Sequence, residues 1–293
     1  MDTDALKAFV AIARTGSFSL AAHALFLTQP AISKRISKLE EQLNHKLFDR
    51  LGRELHLTEA GRLLLSRAEI LLREWSELER DVRELSGEIV GTLRVATSHH
   101  CGLHHLPPVL RQFVAEHAGV NLQFEFLDSE LAHQRILSGD CELGIVTLAP
   151  AIPEPLAQRI LWPDPLEFVV ANNHELTQEA QLSMTTLAKY NAVLPGVNTY
   201  TGRLIKSAFE TQNQTLKIGM ATNYLETIKM MVSVGLGWSV LPRTLLDGSL
   251  AVIHPSNLHL SRDLGVIWHP RRSFSNAGRA FYEILLNYGK KTP

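Results

Sequence analysis

Four of the thirteen histidines, His99, His100, His104 and His105, crowd around Cys101. Neutral imidazole is a good ligand for borderline transition metals, and residues four apart share one face of a helix. His100 and His104 could therefore hold Zn²⁺ or a similar ion. No acid and no second cysteine lies in that segment, so the remaining ligands would have to come from elsewhere in the chain. The same imidazoles could instead hydrogen-bond an anion. One with an ordinary pKa of about 6.5 would make that binding respond to pH. The anion reading needs nothing further from the chain, so no metal and no cofactor is expected. Cys101 is a lone candidate for redox chemistry, but a buried, inert thiol is the default for such a residue.

Hydroxyl and amide groups recur at four positions that follow apolar runs and precede helical patterns. They are Thr97-Ser98-His99-His100-Cys101, Asp128-Ser129, Thr147, and the stretch Gly196 to Arg203. Open α/β sheets bind ligands at the carboxyl ends of their strands, near helix N-termini that favour negative charge. The candidate ligand-binding residues are therefore Ser98, His99, His100, Cys101, Ser129, Thr147, Asn198, Thr199, Tyr200 and Thr201. Asn223, placed as a cap before the helical pattern from Tyr224, joins them. Each hydroxyl would serve equally well as a helix N-cap.

A different chemistry is encoded near the N-terminus. Ser19–Leu25, the turn Phe26–Thr28 and Gln29–Gln42 have the lengths of a helix-turn-helix, with Thr28 as N-cap and Pro30 in the first turn. In that motif the start of the second helix reaches base edges in the major groove. Gln29 can pair bidentately with adenine, Lys34 or Arg35 can address guanine or phosphate, and Ser33 suits phosphate or a bridging water. Arg50 and Arg53, on a predicted hairpin with Gly52 at its tip, would lie along the backbone. Between Ala31 and Leu57 there are six Lys/Arg against four Asp/Glu, a modest local excess.

Two kinds of architecture must position these groups. Asp4 to about Glu88 is helical almost throughout. Within it Leu57, Gly61, Leu64, Ala68, Leu71, Trp75, Leu78, Val82, Leu85 and Ile89 alternate at spacings of four and three, the seam of a coiled coil and hence of a dimer. After Gly91 the pattern becomes α/β. Strands are expected at Leu93–Ala96, Val120–Leu127, Leu143–Val146, Phe168–Ala171, Ala192–Leu194, Ile218–Ala221, Trp238–Leu241 and Leu264–Trp268. Alternation with helices favours largely parallel sheets. Pro150, Pro153, Pro155, Pro163 and Pro165 mark a crossing between two lobes.

Composition removes several classes. With 29 Lys+Arg against 30 Asp+Glu, a basic surface must be local, and two cysteines exclude a disulfide scaffold. The acidic start MDTD is not a secretory signal, and no run reaches the ~18–20 apolar residues of a membrane span. A cytoplasmic protein is expected. G-x-S-x-G, H-E-x-x-H, a Walker loop and a complete G-x-G-x-x-G are missing from the sequence, and Gly235/Gly237 lack a third glycine. An enzyme is not expected.

Gly16-Ser17-Phe18, Ala21-Ala22, Thr28-Gln29-Pro30-Ala31-Ile32-Ser33, Leu39-Glu40-Glu41-Gln42-Leu43, Leu47-Phe48-Asp49-Arg50 and Leu57-Thr58-Glu59-Ala60-Gly61 together resemble the N-terminal signature of LysR-type transcriptional regulators. The resemblance is dense over roughly the first sixty-five residues. Lys34 stands where the family often has arginine, keeping charge but losing the fork. The resemblance implies an α/β protein whose all-α winged helix-turn-helix (1–58) is joined by a dimerising linker helix (59–90) to a two-lobed, periplasmic-binding-protein-like effector domain (91–293). Lobe one would be 92–161 with 268–293, and lobe two 162–267. DNA contacts would come from Thr28, Gln29, Pro30, Ser33, Lys34, Arg35, Arg50 and Arg53. Partners would be double-stranded DNA, a small effector and further copies of the chain, as homodimer or homotetramer, and RNA polymerase could be another. Ser98, Thr147 and Thr201 match hydroxyls of the cysteine-regulon subgroup's anion pocket, although His100 and Cys101 replace polar residues there. A carboxylate-like effector is the leading expectation. A metal- or thiol-sensing regulator using the His99–His105 cluster is the alternative, and a solute-binding protein a more remote one.

Overall fold

The computed structural model describes residues 2–51, 54–83, 85, 87–179, 181–255 and 258–290. Chain contacts divide it into two units between residues 86 and 87. In the first unit, α1 (Thr3–Thr15) starts where the Asp2 carboxylate accepts the Ala5 N–H and stops at Gly16, whose φ of 66° suits the left-handed C-cap. Helix α2 (Phe18–Ala24) is capped by Ser17, and α3 (Gln29–Leu43) by Thr28. The turn between them places Phe26 at φ 54° with 95% of its surface exposed. Ile32, Ile36 and Leu39 of α3 pack with Ala21, Ala22 and the α1 stripe into one core.

Strands β1 (Phe48–Leu51) and β2 (Glu54–Leu57) form the expected antiparallel hairpin, with Phe48 opposite Leu57. Its expected tip, Gly52-Arg53, lies outside the described residues, as does the side chain of Arg50. Glu40 seats the hairpin on α3 by accepting the Leu47 N–H and pairing with Lys46. Helix α4 (Glu59–Arg83) follows, and the Thr58 hydroxyl accepts the Gly61 N–H at its start. Gly61 is required there, because a Cβ would stand 2.2 Å from the Leu47 carbonyl oxygen.

The heptad stripe on α4 has two fates. Leu57, Leu64 and Ala68 pack into the unit's own core. Leu71, Trp75, Leu78 and Val82 are 45–60% exposed in the single chain. The expected helix to residue 90 is too long: α4 ends at Arg83, Gly87 turns at φ 78°, and Ile89 packs on the core of the second unit instead.

The second unit is built on β3 (Gly91–Thr97), α5 (His99–His104), α6 (Pro107–Glu116), β4 (Val120–Phe126), α7 (Ser129–Ser138), β5 (Leu143–Thr147) and the long β6 (Ala157–Ala171). It continues with α8 (Met184–Leu187), β7 (Ala192–Leu194), α9 (Tyr200–Thr211), β8 (Ile218–Ala221) and α10 (Leu225–Ser233). Strands β9 (Ser239–Pro242), β10 (Leu250–Ile253) and β11 (Leu260–Trp268) lead to α11 (Asn276–Gly289). The principal sheet runs β10-β6-β11-β5-β3-β4, with β9 also on β6. Among the strands of the described residues, β3 with β4, β3 with β5 and β7 with β8 pair in parallel and the other pairs are antiparallel, so the sheets are mixed rather than largely parallel. The antiparallel part arises because β6 and β11 run side by side through both lobes.

Core clusters locate the crossings. Leu161, Trp162 and Leu264 pack in lobe one, whereas Leu166 and Leu260 pack in lobe two. The return crossing therefore falls before Leu264, earlier than the expected 267/268, since Leu264–Ile267 already pair with β5. Pro163 and Pro165 sit at the outward crossing, opposite Asp263 and Ser261.

Candidate functional site: the recognition helix and the inter-lobe cleft

On the first unit, Thr28, Gln29, Pro30 and Lys34 are exposed at the start of α3, and Ser33 is half-buried beside them. The Ser19 hydroxyl donates to Gln29 Oε1 at 3.2 Å, which orients the amide. Arg35 differs: its guanidinium pairs with Asp4 of α1 at 3.1 Å, so this cation braces the helix packing. The exposed Phe26 adds an apolar surface beside these residues. Its positive φ, unusual for a bulky side chain, gave no signal in the sequence.

In the second unit, nine of the candidate effector residues meet around one small cavity of about 50 Å³ between the lobes. They are Ser98, His99, His100, Ser129, Thr147, Thr199, Tyr200, Thr201 and Asn223. Two do not. Cys101 turns into the lobe-one core with Leu93 and Leu106, because the first turn of α5 points its neighbours, not its thiol, at the cleft. Asn198 lies outside the cavity wall, its carbonyl accepting from Arg203 at 2.6 Å.

Several hydroxyls serve both as caps and as walls. Ser98 accepts the Cys101 N–H and Thr199 the Gly202 N–H, while the Ser129 hydroxyl accepts the Thr147 N–H. Asn223 is not the expected helix cap. Its Oδ1 accepts the Gly196 N–H and its Nδ2 donates to Asp128 at 2.7 Å, tying lobe two to lobe one. Glu130 makes a second tie, accepting the Tyr200 N–H at 2.5 Å at the start of α9. Both acids of the cavity wall are thus engaged by lobe-two donors.

Sequence reasoning missed Arg262. This strand residue faces Asp164 across β6 and β11, donates from Nε to Oδ2 at 2.8 Å, and donates from Nη1 to the Thr201 hydroxyl at 2.6 Å. Its Nη2 is buried without a hydrogen-bond partner among the described residues. A buried guanidinium nitrogen at a cavity wall is an open donor, and such groups are normally satisfied. The one available signal was a charged Arg262-Asp263 pair inside a segment bounded by apolar runs.

The histidines divide by surroundings. His99 lies against Phe126 and Tyr224, His105 against Trp162, and His104 donates from Nε2 to the Glu226 carboxylate at 2.8 Å. Burial, reinforced by Arg262, holds the His100 pKa down to about 2, so its imidazole is neutral. Burial pushes the thiols up, Cys101 to about 11 and Cys141 to about 12. Reactive sensing cysteines are exposed and have depressed pKa values, so neither thiol fits the thiol-sensing alternative.

A two-lobed α/β domain with a cleft between its lobes, following a helix-turn-helix module, defines a class of ligand-responsive DNA-binding regulators. Residues 3–62 match the bacterial regulatory helix-turn-helix protein, lysR family, and residues 86–290 match the LysR substrate binding domain. A probable RuBisCO transcriptional regulator of Synechocystis is 31% identical, over 97% of this chain and 85% of its own length. The fold is shared with full-length CbnR complexed with its target DNA (TM-score 0.68, 19% identity, 98% of this chain and 100% of that one). It is shared too with the effector-binding domain of QuiR in complex with shikimate (TM-score 0.62, 22% identity, 69% and 98%). The chain belongs to the LysR family: it is a DNA-binding transcriptional regulator with an effector-binding domain, and not an enzyme. No helix among the described residues is long and apolar enough to cross a membrane.

Proposed function

We propose that this regulator answers a small carboxylate metabolite bound between the lobes, in the cytoplasm, as a dimer formed through α4 that pairs again into a tetramer. The carrying observation is the unpartnered Nη2 of Arg262 at the cavity wall, next to the Thr201 hydroxyl. A guanidinium nitrogen with unspent N–H donors suits a carboxylate oxygen. An adjoining hollow of about 400 Å³ shares Thr147, Tyr200 and Arg262 with the small cavity and adds apolar Leu148, Ala149, Pro150, Ile160 and Leu204 beside polar Gln158, Ser261 and Asp263. A charged head at Arg262 and an organic body in that hollow favour a carboxylate over a bare inorganic oxyanion.

Such a ligand touches both lobes, so it favours the closed arrangement by its differential contacts. The closure shifts how paired recognition helices meet their half-sites and alters DNA bending more than raw affinity. A thermal-shift screen of the full chain against small carboxylates and inorganic oxyanions tests the class. A ligand at 100 times its Kd adds about 2.7 kcal/mol of stability. A carboxylate response lost in Thr201→Val supports the reading. A response confined to neutral compounds or cations contradicts it.

A further inference from the structure

The imidazoles of α5 face a second group of ligand atoms. One atom each from His100, His104 and Glu226 lie within 4.8 Å of one another. His104 belongs to lobe one and Glu226 to α10 of lobe two. His100 is 5% exposed, and neither of its ring nitrogens has a hydrogen-bond partner among the described residues. Neutral imidazole with a free lone pair is the form that binds metal. Asp164 Oδ2 lies 3.7 Å from His100 Nε2 but is engaged by Arg262 at 2.8 Å, while the Glu226 carboxylate lies 2.8 Å from His104 Nε2.

We propose that His100, His104 and Glu226 form a binding site for a divalent transition metal, best suited to Zn²⁺, that joins the two lobes. Two imidazoles and a carboxylate with one position left to water is an established Zn²⁺ ligand set, whereas Mg²⁺ and Ca²⁺ take oxygen ligands. Tetrahedral Zn²⁺ with ligands near 2.0–2.1 Å places those atoms about 3.4 Å apart. His104 and Glu226, 2.8 Å apart with side chains 29% and 38% exposed, have room to part slightly and to approach His100. Because the ligands come from both lobes, the ion stabilises their closed arrangement. His100 also walls the anion cavity, so metal and anion affinities are linked reciprocally. The site stands independently of the carboxylate reading.

The test uses full-length protein stripped with chelator. Zn²⁺ is titrated in competition with a chromophoric chelator, and Co²⁺ is followed through its visible absorption. One ion per chain is expected, with a Co²⁺ band of low-coordinate nitrogen and oxygen ligation. Affinity should fall at least tenfold in His104→Ala and in Glu226→Gln. Both side chains are partly exposed, so these variants keep the core, and unchanged apo-protein unfolding checks that they do. Unchanged Zn²⁺ affinity in both variants, or no stoichiometric binding at micromolar Zn²⁺, overturns the proposal.

Discussion

Arg262 and Asp164 stand directly opposite each other on the two strands that carry the chain between lobes, 2.8 Å apart, with side chains 8% and 2% exposed. The pair holds a guanidinium at the cleft wall while spending only part of it, which leaves Nη2 for a ligand. Removing one partner of a buried ion pair strands the other. Asp164→Ala should therefore cost about 3–5 kcal/mol in urea unfolding. A loss below about 1 kcal/mol would mean that water already solvates the pair.

His100 makes stability fall in mild acid. Its folded pKa, held down to about 2, lies below the ordinary histidine value of about 6.5. Between those values the unfolded chain binds the extra proton, so the stabilising contribution is complete above about pH 6.5 and declines as pH falls. The slope approaches about 1.4 kcal/mol per pH unit for this one group. His100→Leu should flatten the decline between pH 6.5 and 5. Parallel stability curves for the two proteins would show that other groups dominate.

The exposed half of the α4 stripe implies association. Trp75 and Leu78, 45% and 56% exposed, should be covered by a second copy. Trp75→Glu with Leu78→Lys should shift sedimentation equilibrium to smaller species at micromolar concentration. An unaltered mass distribution would remove α4 from the interface.

On DNA, Gln29→Ala should relax base preference by about 1–3 kcal/mol at one position of each half-site. Lys34→Ala should weaken specific and non-specific sites alike and reduce the salt dependence by about one phosphate contact. Both are read by anisotropy titration over a salt series. Equal effects of the two substitutions across all sequences would refute the division of labour.

Phe26 offers a separable test, because glycine adopts its φ of 54° freely. Phe26→Gly should leave stability unchanged or raise it by about 1 kcal/mol while lowering DNA affinity. Unaltered affinity would show that the exposed ring does not touch the duplex.

What was legible in the sequence was local. Thr28 announced the start of α3 through cap chemistry that needs no tertiary partner. The hydroxyls of the cleft were legible because they follow strand ends. Arg262 was not, because its partner lies 98 residues away and only the antiparallel crossing joins them. The outward half of β6 was hidden by Pro163 and Pro165, residues that ordinarily argue against a strand. Helix α5, six residues long, is too short to show a period, so Cys101 was placed in a loop facing the ligand instead of in the core. The seam on α4 was visible, but its division between the domain core and a partner depends on where the winged unit packs.

The most direct test is calorimetric titration of the best carboxylate from the screen into wild-type protein and Arg262→Lys. Lysine keeps a positive charge beside Asp164 but has one nitrogen where arginine has three, so no counterpart of the free Nη2 remains for the ligand. Affinity should fall at least tenfold with the unfolding transition preserved. Equal affinity in the two proteins would contradict an effector site built around Arg262.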